Sequence, residues 1–375
     1  MIGFNKPYVT GKEFEYIQEA IKMEKLSGNG HFSQRCHQFF EKKYGFKKAL
    51  LTHSCTGALE MAAILLDIKP GDEIIVPSYT FVSTANAFLL YGANIIFADS
   101  CKENPNIDPE HVLSLITKKT KAIVVVHYAG VACDMDRIME IANAHNLFVV
   151  EDAAQAIDSF YKSSPLGSIG HLAAFSFHET KNIIAGEGGL LVVNDERFIE
   201  RSEIIWEKGT NRSAFFRGVV DKYTWVDKGS SFLPSELTAA FLFAQLEHLD
   251  GIQQKRRQVW QHYFDFFSSK NASFQLPHIN EFATNNAHLF YLVTSSVDER
   301  NALLDFLKSN SVQSIFHYIP LHQSDFYKKL SKKISQLPYA ERYGNQLIRL
   351  PFYTDLSLQN VSRVGDMVMS FYKSQ

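Results

Sequence analysis

Leu147-Phe-Val-Val-Glu-Asp-Ala-Ala-Gln155, followed further along by His171-Leu-Ala-Ala-Phe-Ser-Phe-His-Glu-Thr-Lys-Asn182, is the stretch that decides the fold. Each half opens on an apolar run of the length and composition of a buried strand and ends on polar residues. Asp152 closes the first run and Lys181 follows the second. If both strands belong to one parallel sheet, the acid and the amine emerge at its carboxyl edge, where open α/β sheets bind ligands.

The flanking sequence supports that sheet. Ala49-Leu-Leu-Thr52, Glu73-Ile-Ile-Val-Pro77, Ile95-Ile-Phe-Ala98 and Ala122-Ile-Val-Val-Val126 read as further strands. Helices are expected over 56–66, 81–90 and 134–144, and Gly186-Glu-Gly-Gly189 reads as a tight turn into Leu190-Leu-Val-Val193. Apolar strands alternating with helices predict a mostly parallel sheet covered on both faces. A helix over 236–249 follows, then a strand at 289–293 and a helix at 299–309 in an aromatic-rich remainder. The expected division is a large domain over 1–250 and a small α+β domain over 251–375.

With 375 residues, 46% of them hydrophobic, the chain can bury a core large enough for two such domains. A formal charge of −2 gives no electrostatic reason to expect nucleic acid or an anionic membrane as partner. No apolar run reaches membrane-spanning length, and Met1 to Tyr8 lacks the basic and apolar regions of a signal peptide. Cys36, Cys55, Cys101 and Cys133 are scattered, without metal-site spacing. HExxH is absent despite the histidine count. A cytoplasmic protein with reduced thiols and no metal is expected.

An amine and a carboxylate at one sheet edge can hold pyridoxal 5'-phosphate. Lys181 would form the Schiff base, and Asp152 would pair with the pyridinium nitrogen and keep the ring an electron sink. A lysine held between apolar strands has a lowered pKa, which favours this chemistry over the surface position of most lysines. Thr52-His-Ser-Cys-Thr-Gly57, between strand and helix, offers backbone N–H groups and the Thr56 hydroxyl to a phosphate; taken alone it reads as an ordinary helix cap. Phe81 begins a helix after another strand, either to stack on the cofactor ring or to pack in the core. Gln155, one turn beyond Asp152, is placed to reach the ring hydroxyl or its face. No GxGxxG or Walker sequence is present, against a dinucleotide or ATP enzyme.

Taken together, Ser54-Cys-Thr-Gly57, Pro77-Ser-Tyr-Thr-Phe81, Glu151-Asp-Ala-Ala-Gln155, Ser176-Phe-His178, Thr180-Lys-Asn182 and Gly186-Glu-Gly-Gly189 resemble the sugar aminotransferases of the DegT/DnrJ/EryC1/StrS family. The resemblance implies a fold type I enzyme with a seven-stranded sheet, working as a homodimer with shared active sites. It implies Lys181 as the Schiff-base lysine, Asp152 as the pyridinium partner, Gln155 and Phe81 on the ring, and Cys55, Thr56 and Ser176 on the phosphate. Many members reach the partner subunit's phosphate with an asparagine; the matching turn here, Gly229-Ser-Ser-Phe232, places Ser231 there.

The reaction so implied passes an amine from L-glutamate, leaving 2-oxoglutarate, to a dTDP-linked 4-keto-6-deoxyhexose, giving a 4-amino-4,6-dideoxy sugar. His31 in the Gly28-Asn-Gly-His31 loop, Arg212, Lys222, His317, Tyr318 and His322 are the candidates for sugar and pyrophosphate. Structural roles are the commoner fate of such histidines. Two other readings stand beside this one. Sugar dehydratases on the same fold replace the Schiff-base lysine by histidine, which Lys181 argues against. Non-catalytic sensors on this fold carry an added DNA-binding domain, whereas the family pattern here starts almost at Met1.

Overall fold

Five strands open the central sheet in chain order: β1 (Lys48–Thr52), β2 (Glu73–Pro77), β3 (Asn94–Ala98), β4 (Thr120–Val126) and β5 (Phe148–Asp152). A short hairpin, β6 (Phe160–Tyr161) with β7 (Ser164–Pro165), precedes the last two sheet strands, β8 (Leu172–Ser176) and β9 (Gly189–Val193). The order across this seven-stranded sheet is β1-β9-β8-β5-β4-β2-β3. Only β9 runs against its neighbours, pairing antiparallel with both β1 and β8. The remaining pairs are parallel, so β5 and β8 end side by side with Asp152 opposite Ala174. The computed structural model describes residues 1–270, 273–331 and 336–373.

The helices of the first part are α1 (Glu13–Lys22), α2 (His31–Tyr44), α3 (Cys55–Leu65), α4 (Val82–Leu89), α5 (Pro109–Leu115), α6 (Met135–His145), α7 (Ile199–Trp206) and α8 (Arg212–Phe216). Then come α9 (Glu236–Glu247), α10 (Leu249–Ser268), β10 (Tyr291–Val293), α11 (Val297–Ser309), α12 (Asp325–Leu330), α13 (Pro338–Gln346), β11 (Leu347–Arg349) and α14 (Leu358–Lys373). The expected boundary at Asp250-Gly251 falls in the first turn of the 20-residue α10. A continuous helix therefore crosses the point where the sequence changes character.

Alternation along the strands feeds two cores. Ile123, Val125, Val149, Ala173, Leu190 and Val192 pack with α2 and α9, while Ile74, Val124, Val150, Leu172, Ala174 and Leu191 pack with α3 and α4. A third core joins α10, α11 and α14 to the β10–β11 pair through Trp260, Phe290, Leu303, Ile348 and Val364. With both sheet faces covered, only the carboxyl edge is left for polar groups to converge.

Candidate active site

Glu151 and Asp152 are consecutive in β5 and so point to opposite faces. Glu151 turns into the protein, accepting N–H bonds from Gly167, Ile169 and Gly170 at 2.7, 2.8 and 2.5 Å and contacting His127 Nε2 at 2.9 Å. Burial pushes its pKa up, but His127 and these amides outweigh that and hold it below the usual range. Asp152 turns the other way, into a cavity of about 490 Å³ at the sheet edge. Its Oδ2 accepts from Thr84 Oγ1 at 2.7 Å and its Oδ1 from Ala154 N–H at 3.2 Å. Burial raises its pKa in spite of those donors. One acid holds a loop and its neighbour faces an open site.

Lys181 lies beyond β8 in a turn fixed by Phe177 N–H to Gly188 O (2.8 Å), Lys181 N–H to His178 O (2.9 Å) and Ala185 N–H to Phe177 O (2.7 Å). Its side chain lines the same cavity. Burial lowers its pKa, and Arg349 adds to that, while Cys55 and Asp152 oppose it. Asn182, next in sequence, is buried and donates to Gln253 Oε1 and Asn286 O, with its Oδ1 2.8 Å from His288 Nδ1. These contacts anchor the chain directly after the amine.

A third side of the cavity is the start of α3. Ser54 caps it, accepting Gly57 N–H at 3.0 Å, as the plain reading of that segment expects. Cys55 and Thr56 line the cavity, and Thr56 Oγ1 lies 2.8 Å from Ser83 Oγ. Burial keeps the Cys55 thiol well above its ordinary pKa. β9 presses against this helix start: a Cβ on Gly189 would come within 2.3 Å of the Ser54 carbonyl carbon. Ser176, at the end of β8, completes the polar rim.

Phe81 borders the opening and is 57% exposed. Gln155 Oε1 accepts Ala129 N–H at 2.7 Å, and its Nε2 donates to Tyr318 Oη at 3.0 Å. Tyr318 stacks on His317 with ring centres 3.6 Å apart, and His317 Nδ1 lies 2.8 Å from Tyr128 Oη. Burial holds His317 and His288 well below the ordinary histidine pKa, with Lys181 and Arg349 adding to that. Both are therefore neutral at physiological pH.

The remaining sequence candidates lie elsewhere. Ser231 and Arg212 border a second cavity of about 490 Å³ with Lys25, Gly28, Asn29 and Lys208. His31 is the exposed first residue of α2, edge-on to Phe32, and Lys222 is exposed outside both cavities. His322 does not line the cavity of Lys181. It is buried with Nδ1 2.7 Å from Ser78 Oγ and Nε2 3.2 Å from Glu341 Oε1, so both ring nitrogens are used in tying α13 to β2. Reading by type missed Thr84, His288 and Arg349. For Arg349 a signal existed: a lone charge inside Leu347-Ile-Arg-Leu-Pro351, an otherwise apolar strand.

These features fit pyridoxal phosphate. A carboxylate whose pKa is raised by burial suits pairing with a protonated ring nitrogen. An amine whose pKa is lowered by burial suits carbonyl chemistry, and a capped helix start suits a phosphate.

The model of the DegT/DnrJ/EryC1/StrS aminotransferase family matches residues 7–369. The chain belongs to this family. It is a pyridoxal phosphate-dependent aminotransferase of nucleotide-sugar metabolism, taking a nucleotide sugar and an amino donor. It is 33% identical to the spore coat polysaccharide biosynthesis protein SpsC of Bacillus subtilis, over 99% of this chain and 97% of that one. To GDP-perosamine synthase of Escherichia coli O157:H7 it is 32% identical, over 99% and 98%. Among solved structures, the putative sugar aminotransferase Spr1654 of Streptococcus pneumoniae in its PMP form superposes with a TM-score of 0.92 at 25% identity, covering all of both chains. Helicobacter pylori PseC, an aminotransferase involved in pseudoaminic acid biosynthesis, does so with 0.91 at 26%, again over both whole chains. Among the described residues, no helix is long and apolar enough to cross a membrane.

Proposed function

We propose that this aminotransferase converts a dTDP-linked 4-keto-6-deoxyhexose to the 4-amino-4,6-dideoxy sugar, with L-glutamate as amino donor. The observation that carries the transaminase part is the shared cavity of Lys181 and Asp152, where burial lowers the Lys181 pKa and raises that of Asp152. His178, the residue a dehydratase reading would turn to, is occupied with Thr180 (2.9 Å) and lies toward Glu187 at the exposed rim.

When bound, pyridoxal phosphate supplies an electron sink for the bond that breaks at the donor's Cα. Lys181 would hold the cofactor, and its freed Nζ would take the proton from the donor's Cα and hand it on to the cofactor's carbon. Asp152, steadied by Thr84, would keep the ring nitrogen protonated. Phe81 and Gln155 would hold the ring, and the start of α3 with Ser176 would hold the phosphate.

The choice of sugar rests on sequence resemblance. Glu207-Lys-Gly-Thr-Asn-Arg-Ser213, Phe215-Phe-Arg-Gly218, Asp221-Lys-Tyr-Thr-Trp225 and Phe316-His-Tyr-Ile-Pro-Leu-His322 are similar to dTDP-4-amino-4,6-dideoxygalactose transaminase, which serves enterobacterial common antigen synthesis. Residues 206–231 expose Phe216, Tyr223 and Trp225 in the single chain. That exposure supports a homodimer in which this segment and Ser231 complete the partner subunit's site. Incubation with dTDP-4-keto-6-deoxyglucose and L-glutamate, followed by NMR of the product, tests the reading. A 4-amino sugar supports it; amination only of a GDP- or UDP-linked ketone overturns the nucleotide assignment.

A further inference from the structure

Arg349 is a cation of the active-site cavity with no anionic partner among the described residues. It ends β11, paired across β10 to Tyr291. Its main chain is tied to Ile315 by bonds of 2.8 and 3.2 Å. The guanidinium packs over Phe4 with 4.8 Å to the ring centre. Its charge faces Tyr79, Tyr128 and Tyr318, and the side chain lines the same cavity as Lys181. Nε is buried and, among the described residues, makes no hydrogen bond. Among the described residues no carboxylate forms an ion pair with it. A partly buried cation with no counter-ion and a buried, unbonded Nε is costly, and it persists in an active site where a transient anion supplies the missing charge.

Three anions enter this site. The cofactor's phosphate has its own receptor at the start of α3, on another element. The nucleotide's pyrophosphate brings a bulky nucleoside and needs a solvent-facing receptor, which Lys25, Lys208 and Arg212 around the second cavity offer. The amino donor is small and carries carboxylates, and it must present its amine beside Lys181. A planar guanidinium receives one carboxylate through two parallel bonds. Resting on the aminotransferase reading above, we propose that Arg349 binds a carboxylate of the dicarboxylate donor and thereby selects the class of amino acid that reacts.

The test uses the holoenzyme and the variants Arg349→Gln and Arg349→Lys. The first measurement is calorimetric binding of glutarate, a dicarboxylate that cannot react. Wild type binds it; R349Q weakens binding roughly thirty-fold or more, and R349K falls between because it keeps the charge but not the fork. The second measurement separates the half-reactions. R349Q loses roughly a hundred-fold in kcat/KM for L-glutamate, while enzyme loaded with pyridoxamine phosphate loses far less of its rate with the nucleotide sugar, the small loss reflecting the shifted Lys181 pKa. Equal glutarate affinity in wild type and both variants overturns the proposal, as does a loss confined to the sugar half-reaction, which would assign Arg349 to pyrophosphate. Wild type that reacts with L-glutamate but with no nucleotide sugar would sink the sugar reading and leave the Arg349 measurements intact. If R349Q fails to fold, R349K against glutarate still decides.

Discussion

Thr84 Oγ1 donates to Asp152 Oδ2 at 2.7 Å, and Thr80 Oγ1 stands 2.9 Å behind it. All three side chains are buried. With Thr84 donating to the acid, Thr80 donates to Thr84, so a short relay from the start of α4 stabilises the ionised form of a carboxylate that burial pushes toward neutrality. A hydrogen bond to a charged group contributes about 1.5–3 kcal/mol. Thr84→Val should therefore weaken pyridoxal phosphate binding by roughly ten- to a hundred-fold, while Thr84→Ser restores it. Equilibrium titration of the apoenzyme, followed by cofactor absorbance, checks this. Unchanged affinity in T84V would mean that Asp152 does not depend on its donor.

Lys181→Ala should keep the fold and lose transamination by at least about a thousand-fold, the upper range for loss of a positioned acid–base group. Single-turnover conversion with L-glutamate is the measurement, since slow turnover would hide the step. A K181A enzyme at wild-type rate would remove the central assignment.

The amine's titration gives signed predictions. Burial, with help from Arg349, lowers the Lys181 pKa from 10.5, and Cys55 and Asp152 oppose it. Labelling of Lys181 in the apoenzyme by an amine-selective reagent, read by mass spectrometry, should therefore turn on below the ordinary lysine range. Arg349→Gln removes a lowering influence and moves the midpoint up; Asp152→Asn removes a raising one and moves it down. Stability follows from the same shift. Between the lowered native pKa and 10.5 the unfolded chain holds the lysine proton and the native chain does not, so this residue's contribution to stability rises with pH across that window. A midpoint that R349Q leaves in place would show that the two groups do not communicate.

Asn286 ties the wall behind Gln155 together. Its Nδ2 donates to Gln155 O at 2.8 Å and Ile157 O at 2.7 Å, all within buried structure. Asn286→Ala would orphan two carbonyls at about 1–3 kcal/mol each, and a fall of several degrees in Tm is expected. Gly130→Ala should be damaging for a related reason. Gly130 has φ +78°, and an added Cβ would lie 2.0 Å from Asn286 Oδ1. Thermal unfolding of both variants reads the effect directly.

The sheet was legible because its strands are short apolar runs with turn residues at each end, and burial on both faces leaves no other reading for Ala122-Ile-Val-Val-Val126. Asp152 and Lys181 were legible because a charged residue at the end of such a run emerges at the sheet's edge. The small unit hid its contribution. Arg349 reaches the cavity only through the β10–β11 pairing, a long-range contact that local periodicity does not encode. His322 misled for the converse reason. Its neighbours His317 and Tyr318 do line the cavity, but the chain turns at Pro320 into a short helical turn at Leu321–Gln323 and carries His322 to Ser78.

The Gly28–His31 loop offers a last discrimination. Glu236, buried at the start of α9, accepts N–H bonds from Gly30 and Phe32 at 2.8 Å each and from Ser33 at 3.2 Å, and it also takes the Ser33 hydroxyl. It fixes the first turn of α2 and with it the loop that borders the second cavity beside Lys208 and Arg212. If that cavity serves the nucleotide sugar, Glu236→Ala should raise KM for the sugar by about ten-fold, the effect of losing an anchor worth roughly 1.4 kcal/mol in the bound state. The half-reaction with L-glutamate should keep its rate, because none of these residues lines the cavity of Lys181. Stopped-flow measurement of the two half-reactions separates the cases. Equal losses in both would make Glu236 a general support of the fold and detach the loop from the sugar.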